Sequence, residues 1–437
     1  MSPIDSPRSK ARTCVELFAG AGGLAMSVHA AGFRPLLVNE FAKRACETLR
    51  ANGAVDRGDD LSVPDPGGPW PLVEGDVRQV KFEYLAEAGV DVLAGGPPCQ
   101  PFSLGGAHKG VEDERNMFPQ MFRAIREMRP KAVICENVRG LLRPSFKPYF
   151  DYILRELELP FLERAEDASW DQHDAILKRA VAGSRSVADE RYDVYLTPVN
   201  AADFGVPQIR QRVIIVAFRS DLRVDWDSFR PRPRYSGEAL WASMRDGSYW
   251  DRHKVPSRVR RRVMRELPDA PLVEDGLKPW RTLRDAIQGI DDNTGKPLPS
   301  IPAKSLDRTE YHHGGFTEHI GWPDARKYTG HTPNLLDRPA KTVKAGVHGV
   351  PGGESVMELD DPEYDGKGYR YMTVRETARV MTFPDDWTLA GPRGEKMRQL
   401  GNAVPVRLGH VFAKAVARAL DAADAREWSS NGRTARN

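Results

Sequence analysis

An α/β fold built on a parallel sheet is predicted for this chain of 437 residues, on three observations. Short apolar runs alternate with helical periodicity through the first half, the pattern of βαβ units. A glycine-dense turn joins the first apolar run to a helical pattern at Phe18–Leu24. Two later runs end in residues able to do chemistry, one at Cys99 and one at Glu136. In open α/β sheets the carboxyl ends of the strands are where ligands bind.

In chain order, strands are predicted at Cys14–Ala19, Leu36–Glu40, Val90–Ala94, Lys131–Cys135 and Arg212–Phe218. Met121, Phe122, Ile125 and Met128 recur at helical spacing and predict a crossover helix before the fourth strand. Asn52–Leu72, rich in Gly, Pro and Asp, reads as a long loop. Leu154–Arg185 is charged and reads as an exposed helical insertion, a solvated decoration. After about Phe218 the chain mixes Arg, Trp, Tyr and Pro, with runs at Arg230–Tyr235 and Arg258–Arg262. Such runs suit a phosphate-facing surface, and equally a plain solvated face. Tyr311–Gly353 reads as loops and short strands. Leu408, Phe412, Ala415, Val416 and Ala419 place an apolar stripe on a final helix.

Composition bounds the function classes. Hydrophobic residues make up 40% and charged residues 29%, as in soluble globular proteins. A net charge of +3 does not by itself indicate a polyanionic partner, so local arginine clusters must carry that argument. No secretory signal is expected at Met1–Thr13, and no apolar run reaches membrane-spanning length. The four cysteines, Cys14, Cys46, Cys99 and Cys135, form no CxxC pair and suit neither a zinc site nor a disulfide framework. Reduced thiols in a cytosol are therefore expected, with no metal.

Three constellations carry the chemistry. In Val15–Leu24 closely spaced glycines let the backbone turn tightly and approach a cofactor. The run does not match the dinucleotide or nucleotide-phosphate loops. Glu40 ends the next apolar run, where such folds hold a ribose, and Asp76 adds a further polar group. An adenosine-bearing cofactor without phosphates fits best. The second constellation pairs Cys99, braced by Pro97, Pro98 and Pro101, with Glu136. The third is Gln208-Ile209-Arg210-Gln211-Arg212, whose arginines on alternate residues share one side of an extended segment.

Taken in order, these segments resemble the DNA cytosine-5 methyltransferase family. The resemblance runs through Phe18–Gly23, Glu40, Asp76, Pro98-Cys99-Gln100 and Glu136-Asn137-Val138. It continues through Gln208–Arg212, Arg338–Val343, Arg375-Glu376, Phe383-Pro384-Asp385 and Gly401–Pro405. It implies a doubly wound, mostly parallel sheet of the S-adenosylmethionine-dependent methyltransferase type with a second, smaller target-recognition domain. The expected division is residues 1–218 for catalysis and cofactor, 219–394 for target recognition, and 395–437 returning to the first domain. Without a long extension before the first motif, the bacterial type is expected.

The resemblance also implies roles. Cys99 would attack C6 of a cytosine, turning C5 into a nucleophile. Glu136 would hold or protonate N3, and Arg210 and Arg212 would orient the base and an adjoining phosphate. Asn137 would brace the loops. S-adenosylmethionine would lie against Phe18, Gly20, Gly22, Gly23, Leu24, Glu40, Asp76, Val77, Pro97 and Asn402. Gln100, Ser103, Arg210, Arg212 and Thr342 would contact double-stranded DNA, whose target base must leave the stack. Gly105 to Asn116 resembles the loop that closes over it. Tyr235, Trp241, Tyr249 and Trp250 are candidate phosphate and base contacts, whereas His312 and His313 read as polar loop residues. A monomer in the bacterial cytoplasm is expected, alone or with a cognate restriction endonuclease. An RNA cytosine-5 methyltransferase of the same fold and a catalytically silent DNA-binding protein are the alternatives.

Overall fold

Eight strands form the central sheet: β1 (Arg12–Leu17), β2 (Phe33–Glu40), β3 (Val55–Asp56), β4 (Pro71–Glu74), β5 (Val92–Gly95), β6 (Ala132–Val138), β7 (Tyr192–Asn200) and β8 (Gln211–Arg219). Their order is β3-β4-β2-β1-β5-β6-β8-β7. The first six run parallel, and β8 pairs antiparallel with both β6 and β7. The winding reverses at β1, so the crevice between β1 and β5 is the switch point at which doubly wound sheets bind ligands. The computed structural model describes residues 11–98, 116–183, 187–253, 255–268, 275–289, 297–298, 316–323, 325–327, 329–345, 355–359 and 368–434. Cys99, Gln100, Ser103, Gly105, Gly106, His312 and His313 lie outside them.

Alternation along β1 explains both faces of the sheet. Val15 and Leu17 join one buried cluster, which holds Phe122 and Ile125 of α3 (Phe118–Met128) and Ile153 of α4 (Lys147–Glu158). Cys14 points the other way, to Leu24 and Val28 of α1 (Gly23–Ala30) and to Leu408, Phe412 and Val416 of the last helix. The strip predicted on that helix is thus the seam by which the C-terminal segment packs on the first βα unit. Ser27 completes it by donating from Oγ to Val406 O at 2.8 Å. A smaller cluster seats α2 (Lys43–Ala51) through Cys46 and Leu49 against Val38 and Leu72.

The middle of the chain builds a second group of elements. Strands β9 (Tyr235–Ser236) and β10 (Lys278–Pro279) pair, and β11 (Asn334–Leu335), β12 (Val356–Glu358) and β13 (Tyr369–Tyr371) form a small sheet. With them come α6 (Gly237–Asp246), α7 (Ser248–Arg252), α8 (Ser257–Arg265), α9 (Leu283–Gln288), α10 (Val374–Val380) and α11 (Arg393–Asn402), before the closing α12 (Val406–Thr434). Capping boxes at Thr282/Asp285 and Thr373/Glu376 start α9 and α10. One apolar cluster joins this region to the first: Ala21 and Met26 pack with Ile320, Val380, Phe383 and Leu400.

Several sequence expectations need correction. β6 runs on to Val138, so Glu136 lies inside the strand rather than after it, because β8 supplies a partner as far as Arg212. Asn52–Leu72 is not wholly a loop: β3 pairs with β4 within it, and Asn52 exchanges hydrogen bonds with Thr388. The insertion 154–185 is more than a decoration. α4 packs against the sheet, and α5 (Trp170–Gly183) buries Leu177 and His173, with Tyr152 Oη 3.1 Å from His173 Nδ1. Tyr249 and Trp250 are core residues rather than DNA contacts. They form the center of the α6–α8 cluster, where short helices with few aliphatic residues need large rings to fill the space.

Candidate active site

Phe18 follows β1 with φ 59°, a left-handed conformation rare outside glycine, and turns the chain into the glycine run. Three glycines there serve different ends. A Cβ on Gly22 would meet the Trp387 ring at 2.9 Å, and one on Gly23 would meet Val404 O at 2.4 Å. Both are therefore required by the packing of later segments. At Gly20, with φ +56°, an added Cβ would meet none of the described residues within 4 Å, so among them this glycine borders open space at the strand edge.

Glu40 at the end of β2 braces that turn. Its Oε2 accepts from Gly20 N at 2.7 Å and its Oε1 from Ala42 N at 2.6 Å. Next to it Phe41 is 72% exposed, a large apolar ring at the sheet edge that the sequence reading passed over. Gly75 N donates to Glu40 O at 2.9 Å, which brings the β4 end alongside. Asp76 there accepts from Arg78 N at 3.0 Å and pairs with the Arg78 guanidinium, which holds its carboxyl below the usual range. Val77 and Leu24 are buried in core clusters, so their side chains face protein. Asn402 is exposed at the end of α11, beside Ala403 and Val404, which cover the glycine turn. Trp387 was also missed; its Nε1 donates to Ala21 O at 3.0 Å and its ring lies 5.9 Å from that of Trp70.

On the other side of β1 the edge carries a second set. Pro97 follows β5 and is buried, and its carbonyl accepts from Asn137 Nδ2 at 3.0 Å. This is the bracing expected of Asn137. Arg212 lies opposite Val138 in the ladder, so it and Glu136 share a face as diagonal neighbors. Arg212 Nε is 2.7 Å from Glu136 Oε1. The N–H is not aligned for a hydrogen bond, and that buried oxygen keeps its accepting capacity. An unsatisfied buried acceptor is costly unless a ligand meets it.

The two arginines have different fates. Arg210 is 1% exposed, and its guanidinium donates to Val343 O at 2.9 Å, Gly401 O at 2.9 Å and Ala403 O at 3.0 Å. Burial, with Arg212 nearby, pushes its pKa down to about 9, still protonated at neutral pH. Arg210, expected with Arg212 to orient the base and an adjoining phosphate, has its guanidinium taken up by carbonyls of segments 338–343 and 401–403. Gln208 completes the clasp, accepting from Val343 N at 3.1 Å. Thr342 donates from Oγ1 to Ile209 O at 2.8 Å.

One continuous edge therefore carries Asp76, Glu40, the glycine turn, Pro97, Glu136 and Arg212 in spatial order. Its β4–β2–β1 half offers two carboxylates, open backbone and an exposed ring. Its β5–β6–β8 half offers a carboxylate and a guanidinium.

Comparison with known proteins identifies the family. The family described as C-5 cytosine-specific DNA methylase matches residues 12–159 and 184–418. Type II methyltransferase M.PspPI of Psychrobacter sp. is 32% identical over 420 residues, 95% of this chain and 81% of that protein. Type II methyltransferase M.Eco47II of Escherichia coli is 33% identical over 412 residues, 94% and 79% respectively. A crystal structure of a DNMT2 mutant from Spodoptera frugiperda shares the fold at TM-score 0.52 and 16% identity, covering 93% of this chain and 99% of that one. The unmatched residues 160–183 coincide with the loop before α5 and α5 itself. The chain belongs to the C-5 cytosine-specific DNA methylase family, and it is a DNA cytosine-5 methyltransferase.

Proposed function

We propose that the enzyme methylates C5 of an extruded cytosine in a specific sequence of double-stranded DNA, with Cys99 as the nucleophile toward C6. The observation that carries this reading is the pairing of Arg212 with a buried, under-bonded Glu136 at the carboxyl end of β6. Cys14, Cys46 and Cys135 are buried, and burial pushes the Cys14 thiol well up and that of Cys46 up to about 12. Thiols so held are poor nucleophiles at neutral pH, which supports giving the attack to Cys99.

S-adenosylmethionine, as the family implies, fits the β4–β2–β1 half, where Gly20 leaves space and no lysine-bearing phosphate loop is present. When bound, it supplies a methyl carbon activated by a sulfonium. Glu40 would take the ribose hydroxyls on its remaining lone pairs. Phe41 would lie against the adenine, and Phe18, Gly20, Asp76, Pro97 and Asn402 would line the rest. Gly22, Gly23, Leu24 and Val77 would shape the pocket from behind. Glu136 would engage the N3–N4 edge of the base. Arg212 would steady that carboxylate and the charge that builds as the thiolate adds, and Arg210 would act as a positioning residue. Gln100, Ser103 and Thr342 would contact DNA. The division at residues 218 and 394, a monomeric state, a cytoplasmic setting and a cognate restriction endonuclease belong to the same proposal.

The test is a duplex with 5-fluorocytosine at a site first mapped by bisulfite sequencing in a methylation-free host. A stable adduct that disappears in Cys99→Ser is expected. An adduct that survives the substitution would overturn the role given to Cys99.

A further inference from the structure

Between the two inward-facing residues Gln208 and Arg210, 0% and 1% exposed, Ile209 points outward and is 40% exposed. Its backbone has no freedom to turn the side chain away. Ile209 N donates to Ala340 O at 2.8 Å, and Ile209 O accepts from Thr342 Oγ1 at 2.8 Å. On its flanks Gln208 N donates to Val206 O at 2.8 Å and Arg210 N to Asn200 Oδ1 at 3.2 Å. A lone exposed aliphatic is unremarkable on most surfaces. This one stands on a clamped backbone three residues before Arg212, tied to Thr342 on a segment that also carries the exposed Lys341 and Lys344. A rim of that composition suits DNA: the cations take phosphates, and an apolar side chain takes a base face or sugar.

We propose that Ile209 is a positioning residue, an apolar wedge that packs against the duplex beside the target nucleotide and favors its extrusion. The inference rests on the base-extrusion reading above. In this role Ile209 would act beside the target nucleotide rather than on the reacting atoms. It would fill space at the step that unstacks, so truncation should weaken the extruded complex while leaving the fold intact.

The experiment compares wild-type enzyme with Ile209→Ala, Ile209→Gln and Ile209→Leu on the mapped site. One duplex is methylatable, and a second carries 2-aminopurine in place of the target cytosine. Ile209→Ala and Ile209→Gln are expected to raise the KM for DNA about tenfold and to cut the 2-aminopurine fluorescence rise at saturating protein. Ile209→Leu should restore both, and all melting temperatures should match the wild type. Ile209→Ala within about twofold of wild type in KM, with a full fluorescence rise, would overturn the inference alone. No fluorescence rise with wild-type enzyme on a duplex it binds would remove the extrusion reading and this inference together.

Discussion

Arg212 and Glu136 meet diagonally across the antiparallel β6–β8 pair, Nε 2.7 Å from Oε1, where the run of parallel strands ends. The antiparallel partner brings the start of β8 to the carboxyl end of β6. A guanidinium from late in the first half of the chain thereby reaches a carboxylate already at the ligand-binding edge. Neither residue would be held there by its own strand alone.

Arg212→Ala should cost about 100-fold or more in kcat, the scale of losing one charge-stabilizing partner. Glu136→Gln should cost a comparable factor or more, since it keeps the shape and loses the charge and proton-handling role. Melting temperatures of both should stay within a few degrees of wild type. Steady-state kinetics with thermal melts separates these effects.

Arg210→Ala has the opposite signature. It would leave three buried carbonyls, those of Val343, Gly401 and Ala403, without their donor. The expected loss is about 3 kcal/mol or more of stability, seen as a fall in the denaturant midpoint. A variant as stable as wild type would show that the clasp is not structural.

Gly20→Ala and Gly23→Ala test which glycine serves packing and which serves the ligand. In Gly23→Ala the new methyl collides with Val404 O, and a loss of about 1–3 kcal/mol is expected. Gly20→Ala carries only the left-handed backbone cost of about 1–2 kcal/mol. Its methyl enters the open space, so titration with S-adenosylhomocysteine should show weaker binding.

Glu16 gives a pH-dependent outcome. It is fully buried in β1, where its carboxyl interacts with the backbone at Ala25 and its Oε2 has no partner, and burial raises its pKa well above the usual range. Native protein then holds a proton that the unfolded chain releases above about pH 4.3. Stability therefore falls as pH rises from there toward the native pKa. Glu16→Gln removes this penalty, so it should stabilize the protein by about 1–3 kcal/mol at pH 8 and by much less at pH 5. Equal effects at both pH values in thermal melts would show that Glu16 titrates normally.

The candidate site was legible in part because strand ends are local features. Apolar runs followed by glycine, Glu40 or Pro97 announce an edge wherever the sheet lies, and helical spacing announced α3 and the stripe on α12. Tyr249 and Trp250 misled because an aromatic beside arginines looks alike in a core and on a DNA face. Glu136 was placed after its strand because β6 ends in polar residues, and only the pairing with β8 shows that the strand continues.

By itself the sequence determined the residue types of the site, their order along the chain and a parallel sheet of βαβ units, since these follow from short-range periodicity and turn chemistry. The tertiary structure alone decided that Arg212 faces Glu136, that Arg210 is closed over by carbonyls 133 to 193 residues away, and that Gly23 yields to Val404 while Gly20 stays open. Those outcomes depend on how distant segments pack, and side-chain burial is a property of the packed molecule that neighbors in sequence do not encode.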